Sequence, residues 1–547
     1  MTASSASSSA SSSSNPWNRV EDRAQLKTLR QRLFQQLDGV ALSGVVPVLH
    51  LNDLLKTVLD AGVDVDKTAQ ELDANPGYLN TGLRLLASQG VLTMHCNTEE
   101  STVRYDPAQR SEEFSPDAWL ELSAQYSKGR VWLEHANNMW HRPEAAMKGA
   151  SLAAMKALLE ARSSCVLAGS PWSLRMATHL EGALIAPWMV TIGTLAGTAP
   201  ITSWEGLDAQ LSKMHPSRVD AFGELLKQLD WRGTTSGAFF LERAAAFGVT
   251  TSYLQTFLWA DKLIWGDGGY LWNVEPGSPE IHVDRGLNVW GSGGAHAAYF
   301  VHLDEVVRTI FDGPLDEQPA GLCDMGCGNG ALLLHLNEFI CRETLRGQHL
   351  DSHPLTLVGA DFNHAAIEAT AAHFEETGVA GHFIWGDIGD PDRLDADMRT
   401  EFGVGLSSLL SVRSFLDHNR VFNRPTNERK GVPITRGAFA FRGERLRLLD
   451  VEQSLVEHFA KWRPYVERYG LLVIELHTVP PSSAAEKQGG MPATAYDATH
   501  GFSDQYIVGV RTYDAMAAEA GLRKVEDCSR TFPRTLPATV SLRYFKA

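Results

Sequence analysis

The stretch GLCDMGCGNGALLLH, residues 321–335, constrains the fold of this chain more than any other segment. A short apolar run ends near an acid, three glycines follow at alternate positions, and a helical pattern begins directly behind them. Gly326, Gly328 and Gly330 predict a tight turn whose bare backbone can touch a ligand at a helix N-terminus. From here on strand and helix alternate: strands are predicted at GLCDMG, LTLVGAD, HFIWGDI, VGLSSLLSV and GLLVIEL, with helical segments such as ALLLHLNEFICRETL and FNHAAIEATAAHFEET between them. That alternation gives an α/β, doubly wound, Rossmann-like parallel sheet with helices on both faces, because crossovers between parallel strands are right-handed and cover the sheet.

Ligands of such sheets bind at the carboxyl ends of the strands. A dinucleotide site uses G-x-G-x-x-G to seat pyrophosphate on the helix dipole. Here the glycines run G-x-G-x-G behind Asp324, which favours a cationic, carboxylate-bearing ligand, and S-adenosylmethionine has that character. Asp361, in VGADF with Phe362 beside it, is placed to accept from a ribose diol. It lies farther from the loop than the roughly 20 residues usual in nucleotide folds, and CRETLRGQHLDSH reads as the insertion that absorbs the excess. Asp387 is placed to accept from the adenine amino group, with Ile388 covering the ring.

The first half is different in kind. A chain of 547 residues is too long for one core, and four regions are predicted: a disordered Ser/Ala-rich tail over 1–20, a winged-helix-like unit over 21–120, a helical lid with a second such unit over 121–285, and the sheet domain over 286–547. The tail has neither an apolar signal core nor an arginine before Arg19. The units overlap best where NPGYLNTGLRLLASQGVL is set beside GVTTSYLQTFLWADKLIW. A DNA-reading helix needs lysine and arginine; the first carries only Arg84, and in the second Asp261 cancels Lys262. Together with a net charge of −16, this argues against nucleic acid. The helices are expected to pack on a partner domain or another subunit, which allows a homodimer. The aromatic and polar segment YSKGRVWLEHANNMWHRPEAAMKG suits a substrate-pocket wall or a helix-packing surface. Six scattered cysteines without a C-x-x-C pair fit a reducing cytoplasm, and no uncharged apolar run reaches the roughly 18 residues of a membrane span.

The glycine loop and its three acids resemble the class I S-adenosylmethionine-dependent methyltransferases. SVRSFLDHNR (411–420), VIELHTV (473–479) and YDATHGFSDQYIV (496–508) resemble more particularly the metal-dependent methyltransferase domain of polyketide loading modules, such as the apratoxin one. The resemblance implies an iron or manganese ion near the methyl donor and methylation of the α-carbon of a malonyl-type or β-ketoacyl thioester on a carrier protein. It also makes His477 and Gln505 the metal ligands. A divalent ion chelated by a 1,3-dicarbonyl would stabilise the enolate as a Lewis acid, and a His-plus-amide pair leaves positions open for substrate. Without the resemblance, His477 reads as a hydrogen-bonded histidine at a strand end and Gln505 as a solvated amide.

His418 and His500 are the candidate general bases, His500, five residues before Gln505, being also an alternative metal ligand. Arg420 sits with His418 where methyltransferases place substrate-contacting groups, and Arg413 is placed to pair with a carboxylate. Two alternatives stand beside carbon methylation: a metal-independent O-methyltransferase acting on a small molecule, and a winged-helix regulator with a degenerate donor site.

Overall fold

The computed structural model describes residues 20, 22–97, 101–108, 116–197, 199–274, 280–534 and 537–547, with the backbone alone at 294–297. Apart from residue 20, the expected N-terminal tail lies outside the described residues.

Two long helices, Arg23–Leu49 and Pro171–Ala196, cross at the centre of the amino-terminal half. Glycine makes the crossing possible. A Cβ on Gly39 would stand 2.2 Å from the carbonyl oxygen of His179, and one on Gly182 would stand 2.0 Å from that of Gln36. Beside the crossing the buried Glu181 accepts from Arg32 at 2.6 Å and from Gln36 at 2.7 Å. Gly182→Ala is therefore expected to force the helices apart and lower stability by about 3 kcal/mol, the upper range for overpacking, read as a lowered midpoint in urea unfolding.

Helices Leu54–Ala61, Val65–Leu72 and Pro76–Ser88 accompany a small antiparallel sheet of β1 (Val63–Asp64), β2 (Leu92–Asn97) and β3 (Thr102–Pro107), in the order β1-β3-β2. Within the lid expected to hold a second such unit, residues 184–272 contain helices and turns and no strand among the described residues. Its glycine-rich tip folds back on its own helix: Tyr270 packs edge-on against Trp259 at 5.2 Å and its hydroxyl accepts from Lys262 at 2.7 Å.

The carboxyl-terminal half is built on β4 (Gly321–Met325), β5 (Thr356–Asp361), β6 (His382–Trp385), β7 (Leu410–Ser414), a short hairpin of β8 (Ala440–Phe441) and β9 (Glu444–Arg445), then β10 (Leu471–Leu476), β11 (Arg523–Lys524), β12 (Arg530–Phe532) and β13 (Val540–Lys546). The main sheet runs β11-β13-β10-β7-β4-β5-β6, with β12 also on β13. The strands from β10 through β6 are parallel. β13 is antiparallel to β10, so the expected all-parallel sheet is mixed at one edge. The predicted third and fourth strands are also shorter than read: β6 stops at Trp385, and residues 406–408 form a single turn ahead of β7.

Period-two alternation divides the sheet between two cores. Leu322, Leu472 and Ile474 face one with Phe311 and Leu336; Cys323, Met325 and Val473 face the other with Phe459 and Trp462. Helix Arg285–Phe300 links the halves, its Leu287 in the amino-terminal core and its Phe300 in the sheet core. Chain order reverses between β4 and β7, and the glycine loop leaves β4 at that switch point.

Candidate active site

All three loop glycines adopt positive φ: Gly326 at 78°, Gly328 at 58° and Gly330 at 76°. The loop is pinned to the end of β5, where the Ala360 carbonyl accepts from Gly326 N at 2.7 Å and Cys327 N at 3.1 Å. Outside Gly328 nothing stands within 4 Å of where a Cβ would be, so backbone there is open to a ligand. Asp361 braces the same turn, accepting from Gly328 N at 3.1 Å and Asn363 N at 2.9 Å.

Asp324 lies beneath the loop, buried, with one carboxylate oxygen lacking any hydrogen-bond partner. Burial and then the neighbouring Asp361 push its carboxyl well above the carboxylate range, and burial raises Asp361 too. Two raised carboxylates side by side are relieved by a cation, which fits a ligand carrying an ammonium and a sulfonium. Phe362 is exposed and leans on Trp385 with ring centroids 5.4 Å apart. Asp387 is half-buried and caps its own turn through Gly389 N at 2.7 Å; Ile388 is buried beside it. The structure thus brings Asp324, the glycines, Asp361 and Phe362 together at successive strand ends, with Asp387 and Ile388 at the end of the next. Trp385 joins them without having been singled out in the sequence.

The catalytic candidates separate. His418, on a short turn behind β7, is buried and meets Glu475 of β10: Nδ1 to Oε1 is 2.5 Å. Glu475 also accepts from the backbone of His418 at 3.3 Å and of Leu476 at 2.6 Å. A carboxylate on Nδ1 fixes the tautomer and leaves the Nε2 lone pair as a base, while stabilising the imidazolium that forms when that base takes a proton. His500 stands edge-on to His418 at 4.9 Å, but its Nδ1 faces the carbonyl of Tyr496 at 2.7 Å. Burial and then proximity to His418 lower its pKa to about 3. Its Nδ1 thus meets a carbonyl where that of His418 meets a carboxylate.

Arg413, expected to pair with a carboxylate, meets one inside the protein rather than on a ligand. It is buried, paired with Asp417 and stacked 4.3 Å over Trp462. His458 bonds the same carboxylate at 2.9 Å, and the Tyr513 hydroxyl donates to its other oxygen. Burial alone would raise Asp417, but Arg413, His458 and Tyr513 outweigh it and hold the carboxyl low. Burial lowers His458 to about 4, so it stays neutral. This network anchors the residue next to His418.

The expected metal pair does not fit a metal. Both ring nitrogens of His477 are engaged, Nδ1 with the Val508 carbonyl at 3.0 Å and Nε2 with Ser541 Oγ at 2.7 Å. The ring is fully buried, edge-on to Tyr513 at 5.4 Å. Gln505 is buried, and its amide donates to the Tyr253 hydroxyl of the lid at 3.1 Å. Among the described residues no group of three or more His, Cys, Asp or Glu side chains is arranged to hold a metal ion.

Arg84, the cation of the first candidate recognition helix, is consumed at the seam between the halves. It donates to Asp497 at 2.8 Å, Thr478 Oγ1 at 2.9 Å, and the carbonyls of Val479 at 2.8 Å and Arg436 at 2.6 Å.

Residues 280–543 match the family model described as the AprA MT2-like domain, and residues 29–94 match the AprA N-terminal domain. No curated protein matches the chain. Similar solved structures include an O-methyltransferase family 2 protein from Planctomyces limnophilus in complex with apigenin, at 12% identity over 97% of this chain and 98% of that one, with a TM-score of 0.33. The CurJ carbon methyltransferase is 10% identical over 96% of this chain and 94% of that one, at 0.33. The citrinin polyketide synthase CMeT domain is 12% identical over 74% of this chain and 98% of that one, at 0.32. The structural scores are too low to carry an argument; the two family models carry it.

Proposed function

Since residues 280–543 are an AprA MT2-like methyltransferase domain, joined to an AprA N-terminal domain at 29–94, we propose that this S-adenosylmethionine-dependent enzyme methylates the α-carbon of an acyl thioester held on a carrier protein. The observation that carries the reading is the His418–Glu475 pair at 2.5 Å, formed between the turn after β7, the neighbour of β4 and its glycine loop, and β10 on the far side of β7. A phenol or a carboxylic acid gives up its proton readily. A carbon acid needs a positioned base whose cation is stabilised as it forms.

When bound, S-adenosylmethionine supplies an electrophilic methyl group on a positively charged sulfur. Asp361 accepts from the ribose hydroxyls, Asp324 faces the ammonium, and Asp387 with Ile388 and Phe362 holds the adenine. His418 removes the α-proton through Nε2 while Glu475 holds the resulting imidazolium. The enolate carbon forms the new bond to the methyl carbon, and the electrons of the breaking carbon–sulfur bond remain on sulfur. The amino-terminal helices roof the acceptor, with Tyr253 on Gln505 as one closing contact. No step is routed through iron or manganese, because the Nε2 lone pair of His477 is already taken by the Ser541 hydroxyl in a fully buried pocket.

The test is methylation by the full chain, with methyl-labelled donor, of malonyl, methylmalonyl and β-ketoacyl thioesters on carrier protein, with phenols as controls. Label at the α-carbon is the expected result. Label on phenol oxygen alone would replace this reading with O-methylation.

A further inference from the structure

The mechanism leaves Arg420 unused, although it lies two residues from His418 and lines the same narrow crevice, together with Glu475, Leu476, Tyr506 and Val508. Arg420 is 3% exposed. Its Nη1 donates to the carbonyl of Asp417 at 2.9 Å, but Nε and Nη2 have no hydrogen-bond partner. The crevice holds two carboxylates and both are occupied: Asp417 by Arg413, His458 and Tyr513, and Glu475 by His418 and two backbone amides. The Tyr506 ring lies under the guanidinium with its centroid at 5.6 Å, and its hydroxyl is likewise buried without a partner. Two guanidinium N–H groups, and the hydroxyl of the ring they lie over, are therefore buried in the crevice without an acceptor.

Buried charged donors left unmatched are costly, and such groups call for a missing partner. Nε and Nη2 form the side edge of the guanidinium, which presents two parallel N–H bonds, and a planar carboxylate accepts both at once. Resting on the carbon-methylation reading, we propose that Arg420 and Tyr506 form a seat for the free carboxylate of the acceptor, making the enzyme selective for malonyl-type thioesters over β-ketoacyl ones. In a malonyl group that carboxylate is bonded directly to the α-carbon. Because Arg420 and His418 line one crevice, seating it on Arg420 holds the α-carbon beside His418. The bound anion also favours the imidazolium that His418 becomes on accepting the proton.

The test uses the full chain with S-adenosylhomocysteine bound and free malonate as the probe, followed by calorimetry, with neutral dimethyl malonate as control. Wild type is expected to bind malonate and not the diester. Arg420→Gln should weaken malonate at least about thirtyfold, as for truncation of a buried charge partner, and Tyr506→Phe should weaken it about fivefold, as for loss of one hydrogen bond. Cooperative unfolding of each variant checks its fold; if Arg420→Gln fails that check, Tyr506→Phe and the diester comparison decide. In turnover, wild type should favour malonyl-pantetheine over acetoacetyl-pantetheine in kcat/KM by at least about a hundredfold, since a buried polar site rejects an analogue that leaves it unpaired, and Arg420→Gln should raise KM for the malonyl substrate more than it lowers kcat. Absence of malonate binding, equal binding of the diester, or unchanged malonate affinity in both variants would overturn the seat. Malonate binding without methylation of any thioester would instead overturn the carbon-methylation reading and leave the seat standing.

Discussion

His418→Gln is expected to lower carbon methylation about a thousandfold, within the range for loss of a general base, while S-adenosylhomocysteine binds as tightly as before. The ring stands behind β7 and contributes nothing to the glycine loop, so donor affinity is a clean control for folding. The prediction is sharp because the two histidines differ in what stands on Nδ1. At His418 it is a carboxylate at 2.5 Å; at His500 it is a backbone carbonyl at 2.7 Å. His500→Gln should accordingly cost far less, and it reports on the space around His418 rather than on proton transfer. Glu475→Gln keeps the shape and a hydrogen bond but removes the charge that stabilises the imidazolium. It should fall between the two, with kcat reduced more than KM changes. Single-turnover transfer of labelled methyl to a malonyl thioester measures all three. Equal rates for His418→Gln and wild type would remove the dyad from the reaction.

Much of the donor half was legible in the sequence, because each element there is a local signal: an apolar strand, an acid at its end, then a turn and a helix. Asp324, the three glycines, Asp361 and Asp387 all follow from that grammar. The antiparallel β13 did not, since alternation in VSLRYFK states that a strand exists and not which way it pairs. His477 was misplaced for a similar reason. A histidine after a strand looks the same whether its nitrogens face a ligand or the core, and its actual partners, Val508 and Ser541, lie 31 and 64 residues away. Glu475 was available and passed over. An acid inside the otherwise apolar LLVIEL cannot stay unpaired in a buried strand, and the search for its cation leads to the turn holding His418. The second amino-terminal unit failed at its tip, where three glycines in seven residues let the chain curl back instead of extending.

Arg84→Ala is expected to destabilise the protein by about 3 to 5 kcal/mol, the range for breaking a buried ion pair from one side. Arg84 is 1% exposed and Asp497 7%, so removing the guanidinium leaves a carboxylate in the interior facing two carbonyls that have also lost their donor. The loss depends on pH, and its sign follows from linkage. Burial already raises Asp497 above the usual carboxylate value even with Arg84 beside it; without Arg84 it rises further. The folded variant then holds a proton that the unfolded chain has released, so its stability falls as pH climbs from the unfolded carboxylate value through the raised folded one. Arg84→Ala should be nearest to wild type in acid and farthest from it at alkaline pH, which urea unfolding at several pH values measures. Adding Asp497→Leu should recover most of the loss, because a pair replaced on both sides leaves no stranded charge. Arg84 also holds Thr478 and Val479, directly after the strand that carries Glu475. The single variant should therefore loosen the roof over the acceptor and slow methyl transfer more than it weakens donor binding.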